Sequence, residues 1–206
     1  IVYALHADDE QRVWIGAWNH GLDRFDPQRQ AIERWSPRLE ERPEERGRGV
    51  RALVPDGQRL WLGIYGLGVV EATGLGPGTA AFNQPPTLRP GNIAQSLVWA
   101  LAKGPRGQLW IGSDGGLSRW DAQDGLQVLR RDGDASTPPR PLRSVRALLL
   151  DREQRLWIGG EDGLFRLDAG DPAARVQLVA SEAGDLPDRR IFALHQDARG
   201  QHWIGT

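Results

Sequence analysis

The sequence predicts an all-β chain, a β-propeller of four-stranded antiparallel blades, and three observations predict it. The triplet Trp-(Ile/Leu)-Gly occurs five times, with its Trp at Trp14, Trp61, Trp110, Trp157 and Trp203, so the spacings are 47, 49, 47 and 46 residues. Each triplet follows, by 11 or 12 residues, the start of a β-rich run containing Ala-Leu: Val2-Tyr3-Ala4-Leu5, Val50-Arg51-Ala52-Leu53, Val98-Trp99-Ala100-Leu101, Val145-Arg146-Ala147-Leu148 and Ile191-Phe192-Ala193-Leu194. Four of the triplets are followed by Gly and an apolar residue, at Gly21-Leu22, Gly68-Val69, Gly116-Leu117 and Gly163-Leu164. Short strands repeated at such a period are the mark of propeller blades, and no segment carries a sustained helical period.

Each unit reads as four strands. Strand A is the Val-x-Ala-Leu run, and a tight turn follows it with Asp8, Asp56, Asp151 or Asp197 nearby. In the second unit Asp56-Gly57 is a two-residue hairpin signal, because both residue types tolerate the positive φ of a type I′ turn. Strand B carries the Trp triplet. Strand C opens on Gly-Leu and alternates, as in Leu22-Asp23-Arg24-Phe25-Asp26 and Leu164-Phe165-Arg166-Leu167-Asp168. Strand D is the weakest, at Ala31 to Trp35, Gln127 to Arg130 and Arg175 to Ala180. The units run 1–49, 50–97, 98–144, 145–190 and an incomplete 191–206, about four and a half blades, which is the expectation for an incomplete ring.

Composition narrows the function classes. With 39% apolar and 26% charged residues the chain is expected to fold rather than stay disordered, and 26 Gly with 14 Pro supply its turns. A net charge of -1 lacks the basic footprint of a nucleic-acid binder. The absence of Cys excludes disulfides and thiolate metal sites. The chain has no Met and begins at Ile1, as a mature chain or a piece of a longer protein would. Its longest apolar run, Leu60 to Val70, is 11 residues, too short to span a bilayer, so no membrane contact is expected of this segment.

The five periodic Trp residues are expected to form a structural core between blades, where each buries roughly 150–250 Å². The Gly two positions later is expected to admit a neighbouring backbone. Binding is expected on the face that carries the B-to-C and D-to-A connections, the longer and more varied set. The B-to-C candidates are Trp18, Asn19, His20 and Tyr65; the first Trp is unexplained by the repeat. The second candidate set is the variable position of Val-x-Ala-Leu, namely Tyr3, Arg51, Trp99, Arg146 and Phe192, expected around the mouth of a central channel. Aromatic and Arg side chains there suit stacking on a sugar or gripping a carboxylate; the alternative is channel packing with each Arg satisfied by carbonyls. No metal and no cofactor are expected: His6, His20, His195 and His202 show no ligand spacing. No nucleophile elbow, Cys nucleophile or phosphate loop is present, and the Glu161-Asp162 pair reads as a solvated loop.

The unit is similar to the two-component regulator propeller repeat. Its best copy runs from Leu186-Pro187 through Ile191-Phe192-Ala193-Leu194-His195-Gln196-Asp197-Ala198-Arg199-Gly200-Gln201-His202-Trp203-Ile204-Gly205-Thr206. Gln11, Gln58 and Gln154 stand where that family's turn Gly would be, and Pro55 and Gly104 where its Asp would be. The resemblance implies the extracytoplasmic, periplasmic sensor region of a bacterial inner-membrane protein. Its implied partners are a small-molecule ligand such as an oligosaccharide, the rest of its own propeller, and downstream signalling domains of the histidine kinase or diguanylate cyclase type. On this reading the segment is not itself an enzyme. The alternatives are a structural or protein-docking propeller without a small ligand, and a propeller lyase or glycosidase.

Overall fold

The computed structural model describes residues 1–18, 21–37, 49–76, 79–89, 97–131, 140–171, 173–180 and 186–206. Its first sheet contains β1 (Val2–Ala7), β2 (Val13–Ala17), β3 (Gly21–Asp26) and β4 (Ala31–Trp35). The second contains β5 (Val50–Asp56), β6 (Arg59–Ile64), β7 (Gly68–Thr73) and β8 (Ala81–Asn83). The third contains β9 (Val98–Lys103), β10 (Leu109–Ser113), β11 (Gly116–Asp121), β12 (Gly125–Arg131) and a two-residue edge strand β13 (Arg140–Pro141), which the sequence did not announce. The fourth contains β14 (Ala147–Leu150), β15 (Arg155–Gly160), β16 (Gly163–Asp168) and β17 (Gln177–Ala180). The fifth has β18 (Ala193–Gln196) and β19 (His202–Gly205) alone. In the four larger sheets the strands are hydrogen-bonded in chain order, and the chain is all-β apart from a short 3₁₀ turn, Pro86–Leu88, among the described residues. No helix among the described residues is long and apolar enough to cross a membrane.

The A-to-B hairpins show why an Asp and a positive φ recur together. Asp8 opens a turn in which the Gln11 N–H donates to its carbonyl (3.0 Å), and Gln11 sits at φ 61°. The carboxylate closes the hairpin: Oδ1 accepts from the Arg12 N–H (2.9 Å) and Oδ2 from Trp14 Nε1 (3.2 Å). Asp151 does the same for Arg155 and Trp157 (2.8 and 2.7 Å), and Asp197 for Gln201 and Trp203 (2.9 and 3.2 Å). The repeat Trp is thus tied by its indole N–H to the turn that precedes it.

Two units solve the turn differently. In the second, Asp56 pairs with Arg59, so the loop residues are Gly57 and Gln58 rather than Asp56 and Gly57. Gly57 alone has positive φ (63°), the mark of a type II′ turn. Asp56, one position later than the pattern places it, accepts from Trp61 Nε1 (3.3 Å). In the third unit Gly104 leaves room for Gln108, whose Oε1 accepts from the Arg106 N–H (2.9 Å) and whose Nε2 donates to the Ala169 carbonyl (2.8 Å). Trp110 Nε1 is buried there without a partner among the described residues.

The triplet Gly is explained by what faces it. A methyl group at Gly16 would lie 2.7 Å from the Val50 carbonyl oxygen, and one at Gly63 would lie 2.7 Å from Val98 Cγ1. At Gly112 it would meet Val145 Cγ1 at 2.7 Å, and at Gly159 it would overlap Ile191 Cγ2. The first residue of the strand-A run in the second to fifth units therefore seats on the Gly of the preceding blade, through its side chain at Val98, Val145 and Ile191 and through its backbone carbonyl at Val50 and Val145.

The chain divides into two compact units, Ile1–Leu101 and Ala102–Thr206. In the first, one core joins the first two sheets: Trp14 and Leu22 with Val50, Leu60, Leu62, Ile64 and Val70. In the second, Trp110 and Leu117 pack with Leu142, Val145, Leu156, Ile158, Phe165 and Leu167. Trp110 is 1% exposed, and truncating a Trp so buried costs about 3–5 kcal/mol. Trp157 is half-buried, its ring 4.6 Å from the His202 ring. Trp203, on the last described strand, is 61% exposed.

Candidate functional site

The most unusual constellation lies in the first unit, around Arg51. In β1 and β2, Val2 faces Ala17 while Ala4 faces Gly16, which leaves Tyr3 as an extra residue. In β5 and β6, Val50 faces Ile64 while Ala52 faces Gly63, which leaves Arg51 extra. Such bulges take a side chain out of the in-out alternation and re-aim it. Trp18 and Tyr65 follow directly on the ends of β2 and β6, held by N–H bonds to the carbonyls of Ile1 (3.0 Å) and Gly49 (3.1 Å).

The result is an arginine among four aromatic rings. Its guanidinium carbon lies 4.3 Å from the ring centre of Trp99, 4.7 Å from Tyr3, 5.2 Å from Trp18 and 5.2 Å from Tyr65. All four fall within the roughly 6 Å at which a cation is attracted to a ring face. The rings also contact one another edge-on, Tyr3 to Trp18 at 6.0 Å and Trp18 to Tyr65 at 5.3 Å. Arg51 Nε is buried and unpartnered, and among the described residues no carboxylate pairs with this side chain. Tyr3 is 39% exposed, and Trp18, Arg51, Tyr65 and Trp99 are partly buried.

The second unit uses the same register positions otherwise. The Arg146 N–H donates to the Gly159 carbonyl (2.8 Å), and its guanidinium donates to Glu161 Oε1 (3.1 Å). The Phe192 ring is 5.7 Å from that guanidinium and 52% exposed. Of the candidates, then, Tyr3, Trp18, Arg51, Tyr65 and Trp99 are brought together, while Arg146 and Phe192 form a separate pair. Asn19 and His20, and the greater part of the connections 38–49, 83–97, 132–144 and 181–190, lie outside the described residues.

Two side chains escaped the reading of the sequence. Glu161, taken there as a solvated loop residue, is the counter-ion of Arg146. The signal was present: Trp18, Tyr65, Asp114 and Glu161 all stand two residues after the triplet Gly, aromatic in the first two units and acidic in the next two. Arg24 lies 4.9 Å from the Trp14 ring and 5.3 Å from the Trp35 ring, paired with Glu33 and donating to the Leu75 carbonyl (3.3 Å). Its partners are complete, so its role is packing.

A hollow of about 310 Å³ at the hairpin end of the first unit is lined by His6, Asp8, Arg12, Trp14, Arg24 and Arg59, among others. Its charges answer one another, Arg12 with Asp8 (2.9 Å) and Arg59 with Asp56 (2.7 Å) and Glu71 (2.9 Å). Burial pushes the Asp8 carboxyl up, but the bonds from Arg12 and Trp14 outweigh it and hold the group below its usual range. Among the described residues no three His, Asp or Glu side chains are grouped to hold a metal ion.

Successive antiparallel sheets built on four strands in chain order, with the strand-B Trp bonded to the preceding turn in all but the third, define β-propeller blades. Residues 185–206 match the two component regulator propeller family, and the same Trp triplet and strand-A run recur in the four units before them. Residues 185–206 thus carry that repeat, and the four units before them are similar to it. No curated protein sequence matches it. Among solved structures it is similar to the extracellular domain of a hybrid two component system from B. thetaiotaomicron (16% identity, TM-score 0.57, covering 100% of this chain and 32% of that one). It is also similar to PorZ, a surface component of the type-IX secretion system of Porphyromonas gingivalis (19%, 0.67, 100% and 31%). A third likeness is to virginiamycin B lyase from Staphylococcus aureus (12%, 0.66, 98% and 62%). At such identities the likeness is one of fold. The chain spans about a third of the extracellular domains it matches.

Proposed function

We propose that this chain is an arc of the ligand-sensing propeller of an extracytoplasmic, periplasmic signalling region, and that the Arg51 cluster contacts a small molecule of the saccharide class. The observation that carries the reading is the convergence of Tyr3, Trp18, Arg51, Tyr65 and Trp99 from three successive sheets onto one partly open spot. Core packing calls for apolar contact, not for a cation ringed by aromatic faces and without a counter-ion among the described residues. Flat aromatic faces with an adjacent planar donor are the chemistry that grips a sugar ring. The family supports a sensor role, and two of the fold neighbours are extracellular domains of two component systems. The output would lie in a histidine kinase or diguanylate cyclase module of the parent protein.

The test is a melting-temperature screen of the 206-residue chain against mono- and oligosaccharides. A ligand at 100 times its Kd stabilises by about 2.7 kcal/mol, a shift of several degrees. A flat response across the panel, with Trp18→Ala leaving signalling by the parent protein unchanged, defeats the reading. In that event a protein-docking propeller takes its place.

A further inference from the structure

The two arginines at equivalent repeat positions differ in one respect that bears on the ligand. Arg146 has a built-in counter-ion, Glu161, two residues after the triplet Gly of its blade. At the matching place beside Arg51 stands Tyr65. The B-to-C connections of the first two units, Trp18-Asn19-His20 and Tyr65-Gly66-Leu67, contain no acid, whereas those of the third and fourth contain Asp114 and Glu161-Asp162. Arg51 is always charged, and its N–H donors need acceptors. The four rings attract the cation through their faces, but among the described residues no carboxylate answers its charge, and its Nε is left without an acceptor.

Resting on the sensor reading above, we infer that the Arg51 cluster takes a ring compound bearing a carboxylate, of the uronic-acid kind. The ring face packs on the aromatic side chains and the carboxylate accepts from the guanidinium of Arg51. A neutral sugar supplies stacking and hydroxyl acceptors but leaves the charge unanswered. A carboxylate does what Glu161 does for Arg146, from the ligand's side, and charge-assisted paired bonds of this kind are the strong ones.

Calorimetric titration of the 206-residue chain with D-glucuronate, D-glucose and acetate tests this, with Arg51→Gln and Tyr65→Glu alongside. Glucuronate should bind at least about tenfold tighter than either glucose or acetate, because a charged hydrogen-bond pair and a stacked ring are both required. Arg51→Gln should erase the preference over glucose. Tyr65→Glu, which copies the arrangement of Arg146, should weaken glucuronate by about tenfold or more. Should Arg51→Gln fail to fold, Arg51→Lys keeps the charge among the rings, loses the planar fork, and is expected to lose most of the preference. Equal binding of glucose and glucuronate overturns the carboxylate inference and leaves the sensor reading standing. So does a neutral saccharide from the melting screen binding where glucuronate does not. Glucuronate binding unaltered by Arg51→Gln overturns the site assignment. Failure of every saccharide in both experiments removes the inference and the reading together.

Discussion

Arg51 and Arg146 occupy the same place in two copies of one repeat, yet one is ringed by aromatic side chains and the other is neutralised by its own blade. The scaffold under them is alike. In both units the strand-A residue before the arginine, Val50 or Val145, seats on a triplet Gly of the preceding sheet. In both, an Asp at the A-to-B turn clamps the strand-B Trp of the same blade, Asp56 to Trp61 and Asp151 to Trp157, although Asp56 stands one position later in its turn. The difference lies in the residue two places after the triplet Gly and in one bulged register. A repeat can hold its core constant and let a few loop-face positions set the chemistry, as expected when function is grafted onto a rigid frame.

The sharpest way to break that comparison is to add a methyl group beneath each arginine. Gly16→Ala would place a Cβ 2.7 Å from the Val50 carbonyl oxygen, and Gly112→Ala would place one 2.9 Å from that of Val145. A backbone atom cannot step aside as a side chain can, so each substitution should destabilise by about 3 kcal/mol in denaturant unfolding. A cost confined to one unit would mean the scaffolds are not equivalent.

The clamping carboxylates come next. Asp151 is buried, which raises its pKa, but bonds from Trp157 and from the backbone and side chain of Arg155 outweigh burial and hold the group below its usual value of 3.8. A carboxylate whose folded pKa is depressed contributes stability that is fully present above its unfolded pKa and is lost as pH falls through the folded value. Asp151→Ala should cost about 3 kcal/mol at neutral pH, leaving the Trp157 N–H and Arg155 without their partner. Its stability should also fall less than that of the parent chain below about pH 4. Asp8→Ala should show the same sign and a smaller size, because the Asp8 side chain is partly exposed. An acid limb unchanged by Asp151→Ala would contradict the clamp.

How far the sequence carried depended on what kind of fact was asked of it. Period, strand order and the Trp triplet were legible because a core repeats whenever blades repeat. The role of the turn Asp was half legible: its position recurred, but its bond to the indole N–H needed coordinates. The cluster itself was legible as a set of candidates, Tyr3, Trp18, Arg51, Tyr65 and Trp99. That they meet was not, because a bulge at Arg51 leaves no mark in the pattern of apolar residues. The contrast of Tyr65 with Glu161 stood in the sequence throughout and acquired meaning only once Arg146 was seen to need it.

A smaller effect tests whether the turns are equivalent. Gln11 and Gln154 sit at φ 61° and 64°, where Gly107 and Gly200 occupy the same turn position at 82°. A side chain in that region costs about 1–2 kcal/mol, and a Gly there forfeits about 0.5–1 kcal/mol of chain entropy on folding. Gln11→Gly and Gln154→Gly should each therefore stabilise by about 0.5–1 kcal/mol. Equal gains in thermal melts would confirm one turn geometry in both units, and a loss in either would show that its glutamine makes a contact worth more than the strain.

The smallest expected effect bears most directly on the two arginines. The Arg146–Glu161 pair is partly exposed on both sides, so Glu161→Gln should cost no more than about 0.5 kcal/mol. That cost should shrink toward zero at 1 M salt, where the screening length falls to about 3 Å. If the pair is an ordinary half-exposed one, Glu161 is there to answer a charge rather than to hold the blade together, and its absence beside Arg51 is a vacancy in chemistry and not in structure. A cost near 2 kcal/mol that persists in salt would instead make Glu161 a structural strut. Its replacement by Tyr65 in the second unit would then reflect a different way of bracing the loop, and the contrast between the two sites would lose its bearing on ligand charge.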